Sequence, residues 1–141
     1  MSYLEPAAIE RALSSKTWAV VGLTGHRYRV AHGVSEFLQD QGFRIVPVNP
    51  RAESVLGEKG YAQLSDIDFP IDVVDIFRRS DQAGQHVDEA IAIGAKAVWL
   101  QLGVIDEQAA KRAADAGLDV IMDTCPKIEW AAHGPARGIS D

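Results

Sequence analysis

Five short apolar stretches, rich in β-branched residues, alternate along this chain with longer amphipathic ones. They read WAVVGL from Trp18, RIVPVNP from Arg44, IDVVDIF from Ile71, AVWLQL from Ala97 and DVIMD from Asp119, so their starts lie 26, 27, 26 and 22 residues apart. That interval holds a strand, a crossover and a return, and near-continuous apolar character marks strands covered on both faces of a parallel sheet. Residues 30–41 set Val30, Val34, Phe37 and Leu38 on one helical face, and Gly42 follows as a stop. Ser80 or Asp81 is placed to cap a helix running to Ile93 before Gly94, and Asp106 to cap one running to Ala116 before Gly117. A helix over residues 6–13 precedes the first strand, and Pro126 opens a short last one. Residues 50–70, interrupted by Gly57 and Gly60, predict a loop with at most a short element. The pattern is α/β: a single Rossmann-like, doubly wound domain over residues 1–141. Its five-stranded parallel sheet carries helices on both faces, with an expected strand order of 3-2-1-4-5.

Composition narrows the class. Hydrophobic residues at 47% and charged ones at 24% fit an ordinary globular domain and exclude a disordered or fibrous chain. No apolar run reaches the roughly 18 residues that a membrane span needs. The opening MSYLEPAAIERAL carries Glu5 and Glu10 where a secretion signal would start basic, which points to a cytoplasmic protein. A net charge of −6 gives no overall field for nucleic acid or an anionic membrane, so an anionic ligand needs a local patch. The single cysteine, Cys125, excludes an internal disulfide framework and a cysteine-based zinc site. His32, His86 and His133 lack ligand spacing, so no metal site is expected.

In an open parallel sheet the strand ends carry the chemistry, because ligands bind outside the carboxyl edge where the strand order reverses. After the first run comes Gly22-Leu23-Thr24-Gly25-His26-Arg27, a glycine-bearing turn into a helix whose amides and dipole can hold a phosphate. The turn is not G-x-G-x-x-G. The second run ends in Val48-Asn49-Pro50-Arg51 instead of the acid that grips a ribose diol, which disfavours NAD although Glu53 is near. Arg27, Arg29, Arg51, Arg78 and Arg79 all follow one of the first three strands, and guanidinium forks suit a ligand with several phosphates. His26 in the turn can donate to a phosphate oxygen but has no titratable partner for base catalysis. Asp72 and Asp75 stand three apart, which does not put them on one strand face, so they form no acid/base pair. Trp99 belongs to the core, whereas Phe77 and Tyr28 are placed to stack on an adenine.

Several segments together resemble the small CoA-binding proteins, whose fold is like the CoA-binding domain of succinyl-CoA synthetase and related ADP-forming acyl-CoA ligases. They are Gly22-Leu23-Thr24-Gly25, Pro47-Val48-Asn49-Pro50, Gly57 and Tyr61, the VVDIFR run to Arg78, Trp99-Leu100-Gln101-Leu102-Gly103, and Cys125-Pro126. The resemblance implies CoA contacts at Thr24, Gly25, His26 and Arg27, and at Leu100, Gln101 and Leu102. Arg51 stands beside Ala52, the position where the ligases carry a basic residue; Leu102 replaces their acidic residue, and Thr124 stands where small relatives often carry Arg. The ligases also use a phosphohistidine from a second domain, which this chain is not expected to contain.

The reading that follows is a stand-alone protein that binds CoA or an acyl-CoA, with no catalytic residue of its own. The expected binding residues are Gly22, Thr24, Gly25, His26, Arg27, Arg29, Asn49, Pro50, Arg51, Ile76, Phe77, Arg78, Gln101, Leu102, Gly103 and Cys125. The pyrophosphate belongs at the turn from Thr24 to Arg27, the 3′-phosphate or adenine near Asn49 to Arg51, and the arm along an apolar cleft. Cys125, before a helix start, is placed to face the thiol of that arm and to form a mixed disulfide with it. Two alternatives stand beside this reading. One is an NADP-dependent or other nucleotide-linked enzyme, with Arg51 on a 2′-phosphate; the other is a subunit that acts with a partner protein. The pattern fixes neither a protein partner nor a homo-oligomeric state.

Overall fold

The computed structural model describes residues 3–135; the remainder of the expected 1–141 domain lies outside the described residues. After α1 (Pro6–Leu13) the chain runs β1 (Thr17–Val21), α2 (Val30–Asp40), β2 (Arg44–Val48) and a loop holding one 3-10 turn at Leu64–Asp66. It continues through β3 (Val73–Ile76), α3 (Ser80–Ala92), β4 (Ala97–Leu100), α4 (Glu107–Asp115), β5 (Asp119–Met122) and α5 (Pro126–His133). All four strand pairings are parallel.

The strand order is 2-1-3-4-5, which corrects the expected 3-2-1-4-5. Pro47 supplies the physical reason. On the outer side of β2, the Tyr61 amide donates to Pro47 O at 3.0 Å and the Asn49 amide donates to Tyr61 O at 3.0 Å. Pro47 therefore turns its hydrogen-less nitrogen toward that same outer side, where a third strand would need a donor. β3 pairs with β1 instead, setting Val21 beside Ile76, and the short Tyr61 segment covers the β2 edge.

Strand residues alternate between two cores. On one face Ala19, Val21, Val74, Ile76, Val98 and Leu100 pack under α3 and α4, which present alanines such as Ala83, Ala90, Ala109 and Ala113. On the other face Trp18, Val20, Ile45, Trp99 and Ile121 lie under α1, α2 and α5. Trp18 and Trp99 are fully buried, with ring centroids 5.5 Å apart. Each indole N–H is satisfied, Trp18 donating to Ser15 Oγ at 3.0 Å and Trp99 to the carbonyl of Thr124 at 2.9 Å. At about 25 cal/mol per Å², burying each ring contributes about 4–6 kcal/mol before entropy is counted. The Trp99 bond also ties β4 to the segment that carries Cys125, so core packing fixes one wall of the crevice above it.

Candidate functional site

With β3 beside β1, the strand order reverses between these two strands, and a crevice opens above their carboxyl ends. α2 and α3 both start there, and each points the positive end of its dipole at the crevice. Neither has a side-chain cap: the cap positions are Arg29 and Arg79, and no side chain bonds the first-turn amides. α4, whose residues line neither part of the crevice, is capped by Asp106, whose carboxylate accepts from the Ala109 amide at 3.0 Å. Ser80 and Asp81 do not cap α3 as the sequence suggests. Ser80 Oγ accepts from the Ile105 amide at 2.9 Å and donates to Gly103 O at 3.3 Å, while Asp81 pairs with Arg79 at 3.2 Å. The third amides, His32 and Gln82, bond the carbonyls of Arg29 and Arg79 at 3.1 and 2.8 Å, which leaves the first two amides of each helix to suit an anion.

The crevice has two halves of opposite character. One, of about 540 Å³, is walled by Gly22, Thr24, His26, Arg29, Pro50, Arg51, Glu53, Phe77, Arg78, Arg79 and Gln82. The other, of about 470 Å³, is walled by Gly22, Arg29, Val30, Ala31, Phe77, Gln101, Leu102, Val104, Cys125 and Ile128. They meet at the three shared residues Gly22, Arg29 and Phe77. Among the described residues, Arg29, Arg51 and Arg78 pair with no carboxylate, although Arg11 pairs with Asp119 and Arg112 with Asp88 elsewhere on the surface. Arg78 donates to Gln82 Oε1 instead. Cations left unpaired around a concave polar surface suit an anionic ligand.

Two loops form the polar half, and Asn49 joins them. Its side-chain amide donates to Leu23 O and to Glu53 O, each at 3.0 Å, and its Oδ1 accepts from the Arg51 amide at 3.2 Å and the Glu53 amide at 2.8 Å. Asn49 is buried and fully engaged, so it holds the turn after β1 against the loop after β2 and does not line either cleft. Glu53 then reaches back to the turn, its carboxylate accepting from the Gly25 amide at 3.2 Å. A Cβ on Gly25 would stand 2.8 Å from that carboxylate, so a larger residue would push Glu53 away.

Of the expected binding residues, Gly22, Thr24, His26, Arg29, Pro50, Arg51, Phe77 and Arg78 line the polar half, and Gln101, Leu102 and Cys125 line the apolar half. Gly25, Arg27, Asn49, Ile76 and Gly103 line neither. Ile76 is wholly buried in the sheet, and the Gly103 amide is held by Asp123 Oδ1 at 2.8 Å. Tyr28 is fully exposed and lines neither cleft, which leaves Phe77 as the aromatic of the site. The expected list lacks Arg79, Gln82, Glu53, Val30, Ala31, Val104 and Ile128, Arg79 standing in the sequence reading only among the arginines that follow strands and Glu53 only as an argument about NAD. The signal for Val30 and Gln82 was their place in the first turn of helices that follow β1 and β3.

Asp72 and Asp75 form no pair. Asp72 sits at the far end of the sheet. Burial works to raise its pKa, but the amides of Thr17 and Lys16, with Lys96, outweigh that and hold the carboxyl below its ordinary value. Asp75 lies fully buried in β3 with neither oxygen hydrogen-bonded, and burial pushes its carboxyl well above its ordinary value. Among the described residues no group of His, Cys, Asp and Glu is arranged to hold a metal, and no helix is long and apolar enough to cross a membrane.

Comparison with known proteins gives this geometry a family. Uncharacterized protein YneT of Bacillus subtilis (strain 168) is 42% identical over 117 residues, covering 83% of this chain and 87% of that protein. The crystal structure of Prb, the PH1109 protein redesigned for binding, superposes with a TM-score of 0.88 at 34% identity, covering 98% of this chain and 99% of that one. At 24% identity, the dinucleotide-forming acetyl-coenzyme A synthetase 1 of Ca. Korarchaeum cryptofilum shares the fold, with a TM-score of 0.70 over 79% of this chain and 27% of that one. Residues 16–131, which span β1 to α5 and every residue lining the two clefts, match the family described as CoA binding domain, and the chain belongs to that family.

Proposed function

We propose that this chain binds CoA or an acyl-CoA as a stand-alone binding domain and performs no ligase chemistry of its own. The observation that carries the reading is the abutment of an arginine-walled cleft and an apolar cleft at Gly22, Arg29 and Phe77. CoA has the same two-part character, with phosphates at its nucleotide end and a long amide-bearing arm ending in a thiol. Its phosphates fit the open amides of α2 and α3 together with Arg29, Arg51 and Arg78. Its arm fits the walls made by Leu102, Val104 and Ile128. The turn from Thr24 to Arg27 contributes Thr24 and His26 to this reading, with Gly25 engaged by Glu53. A lone free cysteine fits a reducing, cytoplasmic compartment.

Titration calorimetry of the purified chain with CoA, dephospho-CoA, NAD and NADP tests this. CoA is expected to bind tightest, to weaken without its 3′-phosphate, and to weaken again in Arg51→Ala. Preference for NADP would overturn the reading in favour of a nucleotide-linked enzyme. Silence with all four would overturn it in favour of a subunit that needs a partner protein to complete its site.

A further inference from the structure

We propose that Cys125 is a covalent capture site, at which the arm of a CoA-type disulfide becomes attached to the protein as a mixed disulfide. The inference rests on the CoA reading above and extends it to a reaction. Cys125 follows β5 at the start of α5, is 7% exposed, and lines the apolar cleft. A ligand whose phosphates sit in the polar half and whose arm enters the apolar half brings its terminal sulfur toward this wall.

A second, independent observation marks the same cleft as a ligand site. Gln101 lines it at 5% exposure, and its Oε1 has no hydrogen-bond partner among the described residues. An orphaned buried carbonyl of this kind keeps an uncompensated desolvation cost, which a bound donor relieves. The side chains of Val30, Leu102 and Ile128 are apolar and supply no donor, and neither the Arg29 guanidinium nor the first amides of α2 bond this oxygen, whereas an amide N–H of the CoA arm is a donor for it. An unsatisfied amide and a thiol thus share a cleft shaped for an amide-bearing, sulfur-terminated chain.

The chemistry is thiol–disulfide exchange and needs no other oxidant. The Cys125 thiolate attacks one sulfur of the symmetrical CoA disulfide, the S–S bond between the two CoA halves breaks, and one half leaves as a thiolate. A new S–S bond joins Cys125 to the half that remains. The proton given up by Cys125 ends on the released thiol or in solvent, and the number of disulfides is unchanged. Because the thiol is reached through the cleft, the nucleotide end should guide the reaction by holding the arm in place.

Intact-mass spectrometry of the chain incubated with CoA disulfide tests the proposal, with pantethine, the disulfide of the arm without its nucleotide, as the comparison. One CoA adduct per chain is expected, reversed by dithiothreitol, absent in Cys125→Ser, and formed about 10-fold faster than the pantethine adduct at equal concentration. Equal rates with the two disulfides would overturn guided capture, since the cysteine would then be merely reactive. Calorimetry with reduced CoA on the same preparation separates the two claims. Reduced CoA that binds without any adduct from the disulfide overturns the Cys125 inference and leaves the CoA reading standing; failure of both overturns both.

Discussion

A Cβ added to Gly22 would stand 2.6 Å from the carbonyl oxygen of Phe77, so the exits of β1 and β3 are in backbone contact at the seam between the two clefts. Gly22 also has φ +97°, a conformation that side chains rarely adopt. Both constraints arise because β3 pairs with β1. Gly22→Ala is therefore expected to destabilise the fold by at least about 2 kcal/mol, part from the backbone and part from the clash. A urea unfolding midpoint equal to that of the wild type would contradict the close approach.

Asn49 gives a test of how the site is held. Asn49→Ala removes four hydrogen bonds, one to Leu23 O that joins the turn after β1 to the loop after β2 and three to Arg51 and Glu53 that shape the second loop itself. We expect a loss of about 1–3 kcal/mol in stability. CoA affinity should fall as well, although Asn49 lines neither cleft. A variant that loses stability yet binds CoA with unchanged affinity would show that the two loops need not be tied for binding.

Glu53 occupies the Gly25 amide with a carboxylate, beside the arginines proposed to take phosphates. Replacing it by glutamine keeps the shape and removes a charge of the same sign as the ligand. Glu53→Gln should then bind CoA about 5-fold tighter at low salt, and the gain should shrink as salt screens it. Weaker binding by calorimetry would mean that the carboxylate holds a ligand hydroxyl instead.

Asp75 and Asp72 act on stability in opposite pH windows. Asp75 has its folded pKa raised by burial, so its contribution is full below its unfolded value near 3.8 and is lost as pH rises toward the folded value. Asp72 has its folded pKa depressed, so its contribution is present above 3.8 and is lost as pH falls through the folded value. Asp75→Asn should raise stability at neutral pH and flatten the decline above about pH 4. Urea midpoints measured across that range check this, and an unchanged slope would contradict a protonated Asp75 in the folded chain.

The strands, most helix bounds and the loop over residues 50–70 were legible because each depends on local pattern. Trp18 to Val21 and Ala97 to Leu100 read as buried strands since both faces of the sheet are covered. Strand order was harder, because a run such as Val73 to Ile76 looks the same beside β1 as beside β2. The deciding residue, Pro47, acts through the side of β2 on which its missing N–H falls, and that depends on the register with β1. The site shows the same division. Arg29, Arg51 and Arg78 follow strands and so reach the crevice, as their positions suggested. Asn49, Gly25 and Gly103 follow strands too, but their polar groups are engaged by Leu23, Glu53 and Asp123, and only the folded loops reveal that.

The most direct test of CoA spanning both clefts is a crystal structure of the full chain grown with CoA under reducing conditions. The phosphates are expected among Arg29, Arg51, Arg78 and the first amides of α2 and α3. The arm should cross the seam at Gly22 and Phe77, with its sulfur against Cys125. CoA bound away from this crevice, or an arm left in solvent over an empty apolar cleft, would contradict the two-cleft site.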